Sequence, residues 1–277
     1  MDNKKLDEQN KFYWDEVAEN YQELCHITVE NFHYAPLIAG DDYYKLLPEK
    51  LEGLKALEIG AGGAQNSIYL ALQGVECVAN DISSKQLEFA EKLAEHYKIG
   101  LTTLCCPMDE LVEKLNVTNE EDKFDIIHSS YALSFSADPK KLVSDLTKIL
   151  KKDGVMIIST GHPAFSGEWL DLGEDDVGEG MFLKNYFNPQ ADTRYDDNGE
   201  EIVRSTFYTV ADMFDWFANV ECLKVEKLLE PQAMDLTGID YDDIINVMPY
   251  FSHDWMELYP QARNIPLIVI FKVKKVD

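Results

Sequence analysis

The sequence has no long hydrophobic run. None of its apolar segments approaches the roughly 18 residues that a membrane-spanning helix needs, and the first eleven residues, MDNKKLDEQNK, lack the apolar core of a signal peptide. These absences predict a protein that neither spans nor enters a membrane. We therefore expect a cytoplasmic location.

Positive charge is scarce. The 277 residues include 25 Lys and Arg against 51 Asp and Glu, for a net charge of -26. Such a surface repels phosphate backbones, which disfavours nucleic acid and anionic membranes as partners. With 45% hydrophobic residues the chain can still form a globular core, and its charge is also explained by solubility alone.

Metal-binding cysteine patterns are also missing. There are five cysteines, an odd number, and their spacing fits no zinc site. Three of them, Cys77 and the adjacent Cys105 and Cys106, lie in apolar contexts where a thiol acts as a small core residue. We expect reduced cysteines and no bound metal.

Residues 55–81, KALEIGAGGAQNSIYLALQGVECVAND, are the most informative segment of the chain. A short apolar run precedes a glycine-rich turn, an amphipathic helix, a second apolar run and Asp81, which predicts a βαβ unit. Glycines at the turn allow a ligand to approach the backbone closely, and an acid at the end of the second strand can accept hydrogen bonds from a ribose diol. The segment therefore predicts a nucleoside site. A dinucleotide is disfavoured because Gln65 stands where the third glycine of G-x-G-x-x-G would be.

The same segment resembles motif I of the class I S-adenosylmethionine (SAM) methyltransferases. Its E-x-G-x-G pattern is Glu58, Gly60 and Gly62, and Asp81-Ile82-Ser83 resembles the D-I-S that follows their second strand. The nearest likeness is to the small-molecule branch that includes the ubiquinone and menaquinone biosynthesis enzymes. Two departures are Ala64 in place of a further glycine and Pro107 in place of an acid near the adenine.

The resemblance implies an α/β fold of the Rossmann-like class I type, with a mostly parallel seven-stranded sheet whose last strand is antiparallel. It implies SAM as cofactor and S-adenosylhomocysteine (SAH) as product. Asp109 or backbone groups are the candidates to replace the missing acid at Pro107, and Met108 is the candidate to pack on the adenine. The residues predicted to contact the cofactor are Tyr13, Tyr21, Glu58, Gly60, Gly62, Gln65, Asp81, Ile82, Met108, Asp109 and Ser129.

Four regions follow from this comparison and from the pattern of the chain. Residues 1–50 are predicted to form an N-terminal helical lid, 51–160 the SAM-binding core, and 161–205 a substrate lid inserted as a long irregular loop with a hairpin at the Asp-Asn-Gly turn of 197–199. Residues 206–277 complete the sheet and carry a helical insertion at 231–264.

The acceptor side is less defined by the sequence. His33, in an aromatic turn after the first helix, and His162, just past the fifth strand, are candidates for a base or a substrate contact, since a histidine pKa lies near neutrality. Tyr34 is a third candidate, with core packing as the alternative. The acidic residues of 171–180 suit a cationic acceptor, whereas the aromatic residues of both insertions suit a flat or apolar one.

The predicted function is methyl transfer from SAM to O, N or C of a small molecule by in-line displacement. This chemistry needs little beyond positioning and exclusion of water. The alternative is a catalytically silent SAM- or nucleoside-binding module with a regulatory or partner-binding role. The sequence leaves the acceptor, the use of a base and the oligomeric state open.

Overall fold

A seven-stranded sheet forms the centre of the protein. The computed structural model describes residues 3–171 and 179–276. Strand order is β11-β13-β6-β5-β2-β3-β4, with neighbours from β6 to β4 parallel and β13 antiparallel to both β6 and β11. This confirms the predicted fold class. The sheet strands are β2 (Lys55–Ile59), β3 (Glu76–Asp81), β4 (Thr102–Cys105), β5 (Phe124–Ser130), β6 (Leu150–Gly161), β11 (Leu223–Leu229) and β13 (Ile268–Lys275).

Both faces of the sheet are covered, as the nearly continuous apolar runs of its central strands require. Alternate side chains of β2 enter different cores: Leu57 packs with residues of two helices of the C-terminal half, and Ala56 packs with residues 32–47 and the first core helix. The α-helices are α1 (Asn3–Leu24), α2 (Asp41–Tyr44), α3 (Gln65–Leu72), α4 (Ser84–Tyr97), α5 (Leu111–Leu115), α6 (Pro139–Leu146), α7 (Val210–Ala218), α8 (His253–Glu257) and α9 (Tyr259–Ala262).

The connection between α6 and β6 differs from its prediction. The sequence pattern predicts a lysine-rich helix over 140–151, which an Asp-Gly turn ends before a short strand over 155–159. Instead, β6 already begins at Leu150, and Asp153 adopts a left-handed conformation (φ 64°) inside it. The pairing of β5 with β6 shifts register here, so the Asp-Gly pair forms an irregularity within a longer strand.

Residues 161–205 are more regular than expected. They contain two antiparallel strand pairs, and the predicted hairpin around residues 197–199 is present, with Gly199 at φ 82°. Most of the acidic segment 171–180 lies outside the described residues. The strands are β7 (Glu168–Asp171), β8 (Glu179–Phe182), β9 (Asp192–Tyr195) and β10 (Glu201–Ser205).

Helix α1 lies between the core and the β9–β10 hairpin. The Gln9 side chain donates a hydrogen bond to the Glu201 carbonyl oxygen (2.6 Å), and the Asn10 side chain accepts one from the Arg204 backbone (3.3 Å). A two-residue strand after α1, β1 (His26–Ile27), pairs with β12 (Tyr250–Phe251) of the C-terminal insertion. The start of the chain is thereby fixed against both insertions. Within the described residues, no helix is both long and apolar enough to cross a membrane.

Candidate functional site

The glycine turn between β2 and α3 leaves room for a ligand at the sheet edge. Gly60 and Gly62 have left-handed backbones, with φ 66° and 54°. A Cβ atom on Gly60 would lie 2.3 Å from the Cβ of Ala132, so a side chain at this position would displace the loop after β5. Ala64 also adopts a left-handed conformation, φ 56°, and accommodates the departure from the glycine pattern without a break in the turn.

Asp81, at the end of β3, has a carboxylate of fixed orientation. Its Oδ2 accepts a hydrogen bond from the Gly62 backbone (2.8 Å), and its Oδ1 accepts one from the Ser83 backbone (2.8 Å). The side chain is buried yet borders a cavity. Burial raises its pKa, while the backbone hydrogen bonds lower it. The free lone pairs of this carboxylate suit a ribose diol, as the motif predicts.

Glu58 is held from the opposite side of the turn. Its Oε2 accepts hydrogen bonds from the Ser67 backbone (3.0 Å) and hydroxyl (2.6 Å). Burial raises the Glu58 pKa to about 7, the Ser67 hydrogen bonds lower it, and the charge of Asp81 adds to the rise. Two acids thus border the same cavity, and the glycine turn separates them.

Two residues predicted to contact the cofactor, Asp109 and Ser129, lie outside the cavity lining. The Asp109 carboxylate accepts hydrogen bonds from the Ser136 hydroxyl (2.6 Å) and the Ala137 backbone (2.8 Å), which turn it towards the loop after β5. The Ser129 hydroxyl is buried and donates to the Ile59 carbonyl oxygen (2.9 Å). Neither side chain borders the cavity, whereas Ile82, Met108 and Pro107 do.

Helix α1 covers the glycine turn. Its Gln22 amide donates to Gln86 of α4 (2.8 Å) and accepts a hydrogen bond from Gln65 at the start of α3 (2.8 Å). Gln65 also borders the cavity, and in this structure its side-chain amide donates a hydrogen bond to Gln22 of α1. Tyr13 and Tyr21 also border the cavity, and their contact with a cofactor stays a prediction.

A single cavity of about 970 Å³ joins the glycine turn to a second, aromatic compartment. Its aromatic walls come from distant parts of the chain. The Tyr21 and Tyr250 hydroxyls are hydrogen-bonded, and the Tyr131 ring meets Trp255 edge-on at 5.9 Å. Burial raises the pKa of Tyr131 above its ordinary value, so its phenol stays protonated. The aromatic lining is Tyr131, Phe135, Phe165, Phe207, Tyr250 and Trp255.

His33 borders the cavity between the two compartments. Its backbone is bonded to Asn66, whose Oδ1 accepts from the His33 N–H (2.9 Å) and whose Nδ2 donates to the His33 carbonyl (2.9 Å). The ring packs edge-on against Tyr250 (5.2 Å), and its buried Nδ1 has no hydrogen-bond partner among the described residues. Burial lowers the His33 pKa to about 3, so the imidazole is neutral.

The two other catalytic candidates do not reach the cavity. His162 Nε2 is 2.7 Å from Glu230, and its Nδ1 accepts a hydrogen bond from the Ala164 backbone (3.0 Å). The buried Tyr34 hydroxyl donates to Asp41 (2.5 Å). Both side chains are used in structural contacts, which corrects their prediction as catalytic groups.

Sequence reasoning missed Gln22 and Arg194, which also border the cavity. Gln22 lies in an ordinary polar position of a helix, and no pattern distinguishes it. Arg194 has a visible signal, because it is one of only three arginines in the chain and immediately precedes the hairpin turn. Among the residues with described side chains, no three potential metal ligands are close enough to hold an ion.

Comparison with known proteins identifies the core. Residues 57–158 match the model of a methyltransferase domain. The matched segment contains the glycine turn and the acid after β3, so the core of this chain is similar to a methyltransferase domain.

Its individual relatives are distant. A ubiquinone biosynthesis O-methyltransferase of Actinobacillus pleuropneumoniae is 29% identical over 119 residues, which cover 43% of this chain and 50% of that protein. The chain thus spans about half the length of the curated relatives it matches.

Solved structures share the fold over a longer stretch. An S-adenosylmethionine-dependent methyltransferase of Mesorhizobium loti has a TM-score of 0.63 and 20% identity, covering 84% of this chain and 95% of that one. A protein of Listeria monocytogenes gives a TM-score of 0.62 with 19% identity over 85% and 96% of the two chains. At this identity the likeness concerns the fold.

Proposed function

We propose that this protein is a SAM-dependent methyltransferase that transfers a methyl group to a small-molecule acceptor by in-line displacement. The observation that supports the proposal most is the continuity of the cavity from the glycine turn to the aromatic compartment. A nucleoside-binding module needs only the first of these. A transferase needs both, because donor and acceptor must meet in one space closed to water.

The residues of the turn fit SAM. Asp81 would accept hydrogen bonds from the ribose hydroxyls, and Ile82 and Met108 would contact the adenine. The Gly60–Gly62 backbone would take the methionine part, with Glu58, Tyr13 and Tyr21 around it. Both glycines border the cavity, which supports such a close approach of ligand to backbone.

SAM supplies a methyl group already activated on a sulfonium. The protein must then hold the acceptor in line and remove its proton. His33 is the group we assign to the second task, since its neutral ring has an unpartnered nitrogen and lies at the junction of the compartments. For a hydroxyl acceptor a weakly basic ring suffices, because methylation turns the hydroxyl oxygen into an oxonium whose proton is strongly acidic.

The two departures from the family pattern do not exclude this function. Ala64 adopts the conformation that a glycine would, and Pro107 borders the cavity without closing it. These observations do not favour the silent module. The name of the matched relatives, O-methyltransferases, makes hydroxyl compounds the first acceptors to test.

The proposal is tested by calorimetric titration with SAM and SAH, followed by methyl transfer from radiolabelled SAM to panels of phenols, amines and carboxylic acids. We expect micromolar binding of both nucleosides and transfer to at least one class. Asp81→Asn should weaken SAM binding by about 1–3 kcal/mol, the scale of hydrogen bonds to a charged group.

Asp109→Asn is the matched control, because it removes a carboxylate of the neighbouring loop that does not border the cavity. Its SAM affinity should equal that of the wild type. Absence of SAM and SAH binding, or equal losses in both variants, would contradict the proposed site.

A further inference from the structure

Arg194 has an unusual charge environment. Of the three arginines, Arg204 pairs with Glu201 (2.5 Å) and Arg263 with Asp235 (3.2 Å). Arg194 has no carboxylate within 4.0 Å among the described residues, although acids outnumber bases two to one in the chain. A guanidinium without a carboxylate partner among the described residues is available to an external anion.

Tyr13 orients this guanidinium without neutralising it. The Arg194 Nη1 donates a hydrogen bond to the Tyr13 hydroxyl, and its guanidinium carbon lies 5.3 Å from the centre of the Tyr13 ring. A cation over an aromatic ring keeps its charge and its remaining N–H donors. The planar group is thus held in place with donors left for a carboxylate, which it can bind in bidentate fashion.

The position of Arg194 relates it to the acceptor compartment. It lies on β9 and borders the cavity, and its charge opposes the rise in the pKa of Tyr131 that burial and Asp192 produce. Tyr131 directly follows β5 at the carboxyl edge of the sheet and has a left-handed backbone (φ 62°). The guanidinium therefore acts on the region where donor and acceptor would meet. Arg194 is exposed, so an entering ligand can reach it.

The surroundings also limit the shape of the ligand. Tyr131 and Trp255 form an edge-to-face pair in the same cavity, and Phe165 and Phe207 add further apolar wall. Such walls favour a flat body. Asp192 borders the cavity as well. Its carboxylate is not within ion-pair distance of Arg194 and therefore forms no ion pair with the guanidinium.

We infer that Arg194 binds a carboxylate group of the acceptor, and that the acceptor is a flat aromatic acid whose ring lies between the aromatic walls of the cavity. This inference rests on the proposed function, and it narrows the acceptor from any small molecule to an anionic aromatic one. It also selects the flat acceptor over the cationic one that the acidic segment suggested.

The test compares an acid with its uncharged analogue. The full chain is saturated with SAH and titrated calorimetrically with 3,4-dihydroxybenzoate and with 3,4-dihydroxybenzamide. We expect the acid to bind at least about tenfold more tightly than the amide, the scale of a charge-assisted bidentate pair. Arg194→Met should abolish this preference, and Arg194→Lys should keep part of it.

Arg204→Gln is the matched control, because Arg204 lies on the same hairpin and is already paired with Glu201. It should preserve the preference for the acid. Thermal unfolding of each variant shows that it is folded before titration.

The outcomes separate the two proposals. Three outcomes, each with SAH bound, would overturn the role of Arg194 and leave the methyltransferase proposal intact. Neither probe binds, the acid binds no more tightly than the amide, or the preference for the acid persists in Arg194→Met. Failure of SAH to bind the wild-type protein would overturn both.

Discussion

The two ends of the cavity are built differently. At the proposed cofactor end, one continuous segment supplies the turn after β2 and the acid after β3, which are fixed by backbone hydrogen bonds such as that from Gly62 to Asp81, and α1 and Met108 complete the walls. The acceptor end is formed by side chains far apart in sequence, including His33, Tyr131 and Trp255. In the proposed function, a local motif would therefore define donor binding, whereas acceptor selection would depend on how α1 and the two insertions pack.

The largest effect is expected from filling the glycine turn. Gly60→Ala places a Cβ 2.3 Å from Ala132 at a left-handed position, and should cost about 3 kcal/mol of unfolding free energy together with SAM affinity. Gly53→Ala measures the cost of a left-handed backbone without a steric clash, because Gly53 has φ 81° and nothing lies within 4 Å of an added Cβ. It should cost about 1 kcal/mol in urea denaturation and leave SAM binding intact. Equal costs for the two variants would contradict the close packing at Gly60.

At the acceptor end, His33→Gln should lower the rate of methyl transfer by about 100-fold, the usual contribution of a base, without weakening SAM binding. Single-turnover rates and calorimetry measure the two effects separately.

His162→Gln is the control, since His162 is paired with Glu230 away from the cavity. Its transfer rate should match the wild type. A rate unaffected by His33→Gln, or reduced equally by both changes, would remove His33 from the mechanism.

Glu58 gives the cofactor end a pH dependence. Its pKa rises from the ordinary 4.5 to about 7 on folding, so the folded state binds the extra proton and the associated stability is lost as pH rises through 7. The buried His33 and His128, whose pKa values fall to about 3, act in the opposite direction below pH 6.5. The quantity to compare at each pH is therefore the difference in unfolding free energy between the wild type and Glu58→Gln.

That difference should move by about 2 kcal/mol between pH 5 and pH 8, with the wild type losing stability relative to the variant as pH rises. Denaturant titrations at several pH values measure it. A difference that stays constant with pH would show that Glu58 is ionised in the folded protein.

The smallest effect concerns the attachment of α1, which joins the two ends. Asp15 Oδ1 accepts hydrogen bonds from the Ser83 hydroxyl (2.8 Å) and the Lys85 backbone (3.3 Å) at the start of α4. Asp15→Ala should cost about 1 kcal/mol and make α1 more accessible to protease. Lys11→Met removes only the partly exposed ion pair with Asp15 and should cost less than about 0.5 kcal/mol. Equal protease sensitivity of the two variants would contradict this account of how α1 is held.

The sequence predicts the cofactor end well because its signals are local. Gly60, Gly62 and Asp81 lie where the βαβ pattern places them, since strand ends and tight turns restrict the backbone. Asp109 shows the limit of such reasoning. Its place in the chain, two residues after Pro107, suits a contact with the adenine. However, hydrogen bonds from Ser136 and Ala137 of another loop determine where its carboxylate points.

The acceptor end could not be predicted in the same way. His162 and Tyr34 occupy places in the sequence that suit a catalytic group. In the structure, however, the polar atoms of their side chains are hydrogen-bonded to Glu230 and Asp41. Both pairings depend on tertiary packing that no short-range pattern encodes. Arg194 was missed although arginine is rare in this chain, because only the folded chain reveals that no acid of the described residues lies near its guanidinium.

In the proposed function, one cavity would hold the donor at the glycine turn with its sulfur directed at His33. A crystal structure of the protein with SAH tests it most directly. The account predicts the ribose hydroxyls within hydrogen-bond distance of Asp81 and the sulfur facing the compartment of His33 and Tyr250. A ribose bound away from Asp81, or a sulfur directed away from the aromatic compartment, would contradict it.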